Sequence, residues 1–169
     1  MSNGITVIKR NGDNDSLNLA KVHKMVEHAC EGLAGVSASQ VEISSGIQFF
    51  DGMKTSQIQE ILVKSASDLI SLENPNYQYV ASRLLLFDLR KQLNNHYEDH
   101  PFILDHVKKC ADLDVYDKTI IEKYTEDEWK EIDSYIDYNR DYLFSYAGMR
   151  QVVDKYLVQD RSSGELYET

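Results

Sequence analysis

Between Ile5 and Leu93 the spacing of apolar residues changes once, and that change constrains the fold more than any other feature. Ile5-Thr6-Val7-Ile8 is short and β-branched, and the turn-rich Asn11-Gly12-Asp13-Asn14-Asp15 leads from it into a second extended piece, Ser16-Leu17-Asn18. Two extended pieces around an Asn-Gly turn predict a β-hairpin. From Val22 the period becomes helical: Val22, Met25, Val26, Ala29, Cys30 and Leu33 form one stripe, with Gly35 placed as a C-terminal cap. Ser39 opens a second helix carrying Val41, Ile43, Ile47 and Phe50, stopped at Asp51-Gly52. Ser56-Gln57-Ile58-Gln59 fits a capping box, with Thr55 as the alternative N-cap, and Ile58, Ile61, Leu62, Ser65, Ala66 and Leu69 continue that third helix. Pro75 separates it from a fourth, roughly Tyr77 to Leu93, whose buried side includes Val80, Leu84 and Phe87. The predicted order is a hairpin followed by four helices.

Charge divides the chain in two. Residues 1–95 carry 9 basic and 10 acidic side chains, whereas residues 96–169 carry 9 basic and 18 acidic, together with nine of the eleven tyrosines. The step predicts two units, 1–95 and 96–169, joined near His96. The second unit also reads as mainly helical. Ile103, Val107 and Cys110 share a face, Thr125-Glu126-Asp127-Glu128 is a capping box before Trp129, Ile132 and Ile136, and Ser145 to Tyr156 is a further helix. Tyr156-Leu157-Val158 and Glu165-Leu166-Tyr167, around Asp160–Gly164, predict a terminal hairpin. So many large side chains on short helices predict an interface rather than an independent domain.

Several function classes are disfavoured. A formal net charge of −10 is a poor surface for nucleic acid. No apolar run approaches the ~20 residues of a membrane span, and the polar start Met1-Ser2-Asn3-Gly4 does not read as a signal peptide. Two cysteines, Cys30 and Cys110, make neither a disulfide framework nor a four-cysteine zinc site, and they predict a cytoplasmic protein with buried structural thiols. The five histidines show no metal spacing, and His23 and His28 read as surface residues; the acidic run Glu126–Glu131 reads as a solvated helix face.

The cations of the first unit are more informative. Lys9 and Arg10 end the first strand, Lys21 begins helix one, Lys54 precedes helix three, and Arg90-Lys91 close helix four. Thr55-Ser56 adds a helix N-terminus, whose free N–H groups favour an anion. Convergence at one end of the bundle would make a polyphosphate site; dispersal would leave ordinary surface residues.

Val7-Ile8-Lys9-Arg10-Asn11-Gly12, Asn18-Leu19-Ala20-Lys21-Val22 and Phe49-Phe50-Asp51-Gly52-Met53-Lys54-Thr55-Ser56 resemble an ATP-cone, a small allosteric nucleotide-binding domain. Asn74-Pro75-Asn76-Tyr77-Gln78-Tyr79-Val80-Ala81-Ser82-Arg83-Leu84 with Leu89-Arg90-Lys91 resembles the cone of class I ribonucleoside-diphosphate reductase large subunits. Asp105-His106-Val107, Tyr124-Thr125-Glu126-Asp127-Glu128, Phe144-Ser145-Tyr146 and Gly164-Glu165-Leu166-Tyr167-Glu168 resemble the helical lead-in to that enzyme's catalytic barrel. The resemblance implies a mainly α fold: hairpin plus four-helix bundle, then a helical segment and a terminal hairpin.

By the family pattern the nucleotide site falls on Val7, Lys9, Arg10, Leu17, Asn18, Lys21, Val22, Thr55, Ile58 and Lys91. The implied ligand is ATP or dATP, with Mg²⁺. Lysines would neutralise the triphosphate, Arg10 would offer a forked contact, the apolar members would enclose the base, and Asn18 or Asp15 would read its amino edge. Asp15 stands where a glutamate is usual, and Gln59 where many members have a histidine near the sugar. The radical and redox cysteines of the family have no counterpart here, so the implied role is regulatory, in deoxyribonucleotide synthesis, with a separate catalytic-barrel polypeptide, a radical-generating small subunit and an oligomeric assembly. Two other readings compete. One is a free-standing nucleotide sensor, although paired zinc-ribbon cysteines are absent; the other is a decayed cone that serves only as a structural fragment.

Overall fold

The computed structural model describes residues 5–46, 48–98 and 100–169 of the chain. Ile47, expected in the second helix, and Met1-Ser2-Asn3-Gly4 lie outside the described residues. The fold is mostly helical with two small sheets.

Strand β1 (Thr6–Ile8) pairs antiparallel with β2 (Asn14–Ser16), placing Val7 opposite Asp15, in the hairpin that the sequence predicts. Gly12 takes a φ of +89°, the left-handed conformation that a side chain would strain, and the Lys9 N–H closes the turn on the Asp13 carbonyl at 2.8 Å. A third strand, β3 (Met53–Lys54), pairs parallel with the other edge of β1 and was not expected from the sequence. Its register is tied by Thr6 N–H donating to Asp51 Oδ1 and Gly52 N–H donating to the Thr6 carbonyl, each at 2.7 Å.

Helix α1 (Leu19–Cys30) buries Met25, Val26 and Ala29, and Leu33 packs on the core from the loop beyond it. In α2 (Ala38–Gly46), Val41 and Ser45 are buried while Ile43 is 70% exposed; Phe50, past the helix, is 56% exposed. The expected stripe fails there because Val41 and Ser45 share a face, and Ile43, two residues from each, points the other way. Helix α3 (Thr55–Asp68) starts earlier than expected, with Lys54 at its N-cap position and Gln57 Oε1 accepting from the Lys54 N–H at 2.9 Å. Pairing of β3 with β1 fixes the point of entry, so the capping box expected at Ser56 and Gln59 does not form, and Gln59 is buried instead.

Helix α4 (Tyr77–Asn94) is the centre of the molecule, with Tyr77, Val80, Leu84, Leu86, Phe87 and Leu89 almost wholly buried against α1 and α3. Burying five or six such side chains, at roughly 1.5–3 kcal/mol each before entropy is subtracted, makes α4 the main apolar contributor. Beyond it, α5 (Ile103–Asp112), the single turn α6 (Thr119–Glu122) and α7 (Glu126–Tyr135) enclose a small cluster of Leu104, Val107 and Trp129. The capping box of α7 forms: Glu128 N–H donates to Thr125 Oγ1 at 3.3 Å, and Thr125 N–H to Glu128 Oε2 at 2.7 Å.

The chain then returns to α4. After a 3₁₀ segment (Tyr138–Leu143), α8 (Tyr146–Gln151), capped by Ser145, runs into a π turn (Val152–Tyr156). Met149 and Leu157 join the buried cluster that contains Val26, Leu62 and Leu84. His28 is half-buried against Phe87, 5.1 Å between ring centroids, with Tyr97 and Tyr142 beside it, rather than a surface histidine. The terminal hairpin forms from β4 (Gln159–Asp160) and β5 (Glu165–Leu166). Among the described residues no helix is long and apolar enough to cross a membrane.

Candidate functional site

A cleft of about 160 Å³ opens where the hairpin meets the starts of α1 and α3 and the end of α4. It is lined by Val7, Lys9, Asp15, Ser16, Leu17, Asn18, Lys21, Val22, Met25, Thr55, Ile58, Gln59 and Lys91. The structure therefore brings together eleven of the twelve residues expected from the sequence, all but Arg10. Alternation along β1 turns Val7 inward, where it is 3% exposed, while Lys9 sits at the rim.

Two helix N-termini face this cleft. Asn18 is the N-cap of α1, its Oδ1 accepting from the Lys21 N–H at 3.0 Å, and Thr55 is the first residue of α3. Partial positive charge from both helix ends is thus concentrated on one small volume. The α1 terminus escaped the sequence reading, although Asn18 before a helical stripe is a strong N-cap signal. Ser16 and Met25 also escaped it. Met25 was accessible from periodicity, one turn beyond Lys21, whereas Ser16 needed the strand register.

Lys9 and Asp15 face each other across the hairpin at 2.6 Å, each about half exposed. The hydrogen bond from Lys9 comes first in holding the Asp15 carboxyl below its usual range, followed by the Ser16 N–H at 2.8 Å. A pair so exposed contributes little to stability and separates readily.

Lys91 forms the inner wall. Its Nζ donates to Gln59 Oε1 at 3.2 Å, lies 2.9 Å from Met25 Sδ and stands over the Tyr97 ring, 5.1 Å from the centroid. None of these partners carries a negative charge. Burial, and after it the nearby charge of Arg10, push the ammonium down to about 8, with Asp88 offsetting a part. Gln59, 3% exposed, is held at both ends: Nε2 donates to the Leu84 carbonyl at 2.8 Å and Oε1 accepts from Lys91.

Three of the expected cations do not line the cleft: Arg10 pairs with Asp88, Lys54 stands at the N-cap position of α3, and Arg90 turns to another face of α4 to pair with Asp141. Burial pushes the Cys30 thiol up to about 11 and the Cys110 thiol up as well, which disfavours a thiolate at either. Among the described residues no group of three or more His, Cys, Asp or Glu is placed to hold a metal ion.

This hairpin-and-helix cleft, with two helix N-termini and three lysines in its lining, lies within residues 5–92, which match the ATP cone domain. The chain belongs to the ATP-cone family. It is 48% identical over all 169 of its residues to ribonucleoside-diphosphate reductase 1 subunit alpha of Escherichia coli (strain K12), and 47% identical over the same length to subunit alpha of the Haemophilus influenzae enzyme. It is also 40% identical over 167 residues to subunit alpha of the Enterobacteria phage T4 reductase. The chain spans 22% of the length of these curated relatives.

Proposed function

We propose that this chain is the allosteric effector-binding portion of a ribonucleoside-diphosphate reductase large subunit and takes ATP or dATP in the cleft. The observation that carries the reading is the inner wall: Lys91 is half-buried among Gln59, Met25 and Tyr97 and, among the described residues, makes no ion pair that would offset its desolvation in full. In this reading Lys9, Lys21 and Lys91 neutralise phosphate oxygens, Thr55 and the first amides of α3 add donors, and Val7, Leu17, Val22 and Ile58 hold the base. At about 160 Å³ the cleft is smaller than a whole nucleotide needs, so part of the ligand lies in the open mouth. Asp15 is the one carboxylate of the lining. Mg²⁺ commonly binds one or two carboxylates plus phosphate oxygens, so it would arrive with the nucleotide and neutralise it further.

Residues 1–95 would act as the effector unit in the cytoplasm. Residues 96–169, with Tyr135 80% exposed and Leu143 73% exposed, would dock on a catalytic-barrel polypeptide that works with a small radical-generating subunit in a larger oligomer. The barrel supplies the thiyl-radical chemistry; this chain supplies regulation. ATP at 100 times its dissociation constant should stabilise the chain by about 2.7 kcal/mol. Lys9→Ala combined with Lys91→Ala should abolish that stabilisation. A melting temperature indifferent to ATP and Mg²⁺ in the parent chain would favour the decayed cone.

A further inference from the structure

Arg10 follows Lys9 at the end of β1, yet its guanidinium is held outside the cleft by Asp88 of α4, Nη2 donating to Oδ1. The Asp88 side chain is only 13% exposed, and its second oxygen accepts from Gln92 Nε2 at 2.8 Å. Asp88 lies three residues before Lys91, on the same side of the helix. The charges of Arg10 and Asp88 both reach the Lys91 ammonium, so this pair stands at the edge of the cleft although neither residue lines it.

To a guanidinium fork, a carboxylate and a phosphate are interchangeable partners: both are planar or tetrahedral oxyanions that accept paired N–H bonds. Resting on the nucleotide reading, we propose that Asp88 stands in for the effector's phosphate in the free protein, and that polyphosphate binding draws Arg10 off Asp88 and into the cleft. Asp88 then sets effector affinity without touching the effector. The exchange is mechanically simple. Arg10 precedes the Asn11-Gly12 turn, its side chain is 30% exposed, and a rotation about its own stem suffices while α4 stays in place. The carboxylate left behind keeps the Gln92 hydrogen bond and the neighbouring Lys91 charge, so it is not stranded.

A general repulsion between Asp88 and an anionic ligand would also weaken binding, and a double-mutant cycle separates the two. Binding of ATP with Mg²⁺ is measured by titration calorimetry on the full chain, on Asp88→Asn, on Arg10→Gln and on the double variant. Releasing a charged hydrogen-bond competitor should tighten ATP about tenfold in Asp88→Asn, while the same substitution in the Arg10→Gln background should change affinity by less than about twofold. Equal tightening in both backgrounds would mean that Asp88 acts only through its charge, and no tightening with Arg10 present would mean that the pair never opens; either result overturns the exchange. If Asp88→Asn folds poorly, Asp88→Ser carries the same comparison. Absence of ATP binding in the parent chain and in every variant would instead overturn the nucleotide reading, and the exchange with it.

Discussion

Helix α4 carries two desolvated cations one residue apart, Arg90 buried and Lys91 half-buried, and treats them in opposite ways. On the side facing residues 96–169, Arg90 is 2% exposed, pairs with Asp141 at 3.1 Å and donates to Tyr142 Oη at 3.4 Å. On the side facing the cleft, Lys91 has an amide oxygen, a thioether and an aromatic ring, all neutral. The first arrangement has its counter-charge built in, with Nη2 on Asp141 and Nη1 shared between the Tyr97 carbonyl and the Tyr142 hydroxyl. The second is open, because Lys91 makes no ion pair among the described residues and the charge of Asp88 offsets its desolvation only in part. In the proposed nucleotide reading the paired cation belongs to the architecture and the unpaired one meets the ligand.

The sharpest way to break this contrast is at Arg90. Arg90→Ala leaves Asp141 half-buried without its partner, and removing one member of a buried pair typically costs about 3–5 kcal/mol. Asp141 is 31% exposed, so water recovers a part, and the lower end of that range is expected in a denaturant titration. The folded fraction should still bind ATP. A loss of less than about 1 kcal/mol would place the pair among ordinary surface interactions.

Lys91→Met should act in the opposite direction. The ammonium falls from an ordinary 10.5 to about 8, so in the free protein its burial opposes folding by up to about 3 kcal/mol at neutral pH. Between the folded and unfolded values the unfolded chain holds the extra proton, so the parent's stability should rise with pH from about 8 towards 10.5, and this rise should vanish in Lys91→Met. The variant should melt higher than the parent at pH 7 and yet bind ATP poorly. ATP affinity of the parent should in turn weaken above pH 8, by at most about tenfold per pH unit, since an anion needs the protonated form. A flat stability profile in the parent would show that Lys91 is not desolvated in solution.

How much of this was legible in the sequence depended on how local the determining interaction is. The α7 start was legible because Thr125 and Glu128 satisfy each other within one turn. The hairpin was legible from Asn11-Gly12 and the β-branched run before it. Strand β3 was not, because two residues carry no period and its only reason to be extended is β1, more than forty residues away. That unseen strand also misplaced the start of α3, and with it the expected role of Gln59. In the cleft, the family resemblance named the eleven expected members that line it, whereas residue type and spacing alone pointed only to Lys9, Lys21, Lys91 and the Thr55 helix start among them. Arg10 lies outside the cleft lining because it pairs with Asp88, 78 residues along the chain, a contact that no local spacing announces.

Gln59 gives the subtlest test of the open side. A pocket separates a ribose from its deoxy analogue strongly when a buried polar group hydrogen-bonds the 2′-hydroxyl and is left unpaired without it. In this chain each end of the Gln59 amide already has a protein partner, the Leu84 carbonyl for Nε2 and Lys91 for Oε1, so loss of the hydroxyl strands neither. Asp15, one methylene shorter than glutamate and engaged with Lys9, adds little hold on the base. ATP and dATP affinities are therefore expected within about tenfold, a difference under ~1.4 kcal/mol. Gln59→His should move that ratio, since an imidazole cannot donate to Leu84 and accept from Lys91 in the same way and one ring nitrogen becomes available to the sugar. Paired calorimetric titrations with the two nucleotides decide the matter. A parent chain that separates them by far more than tenfold, with a ratio that Gln59→His leaves untouched, would place sugar discrimination on the lysine rim or the α1 N-cap rather than on Gln59.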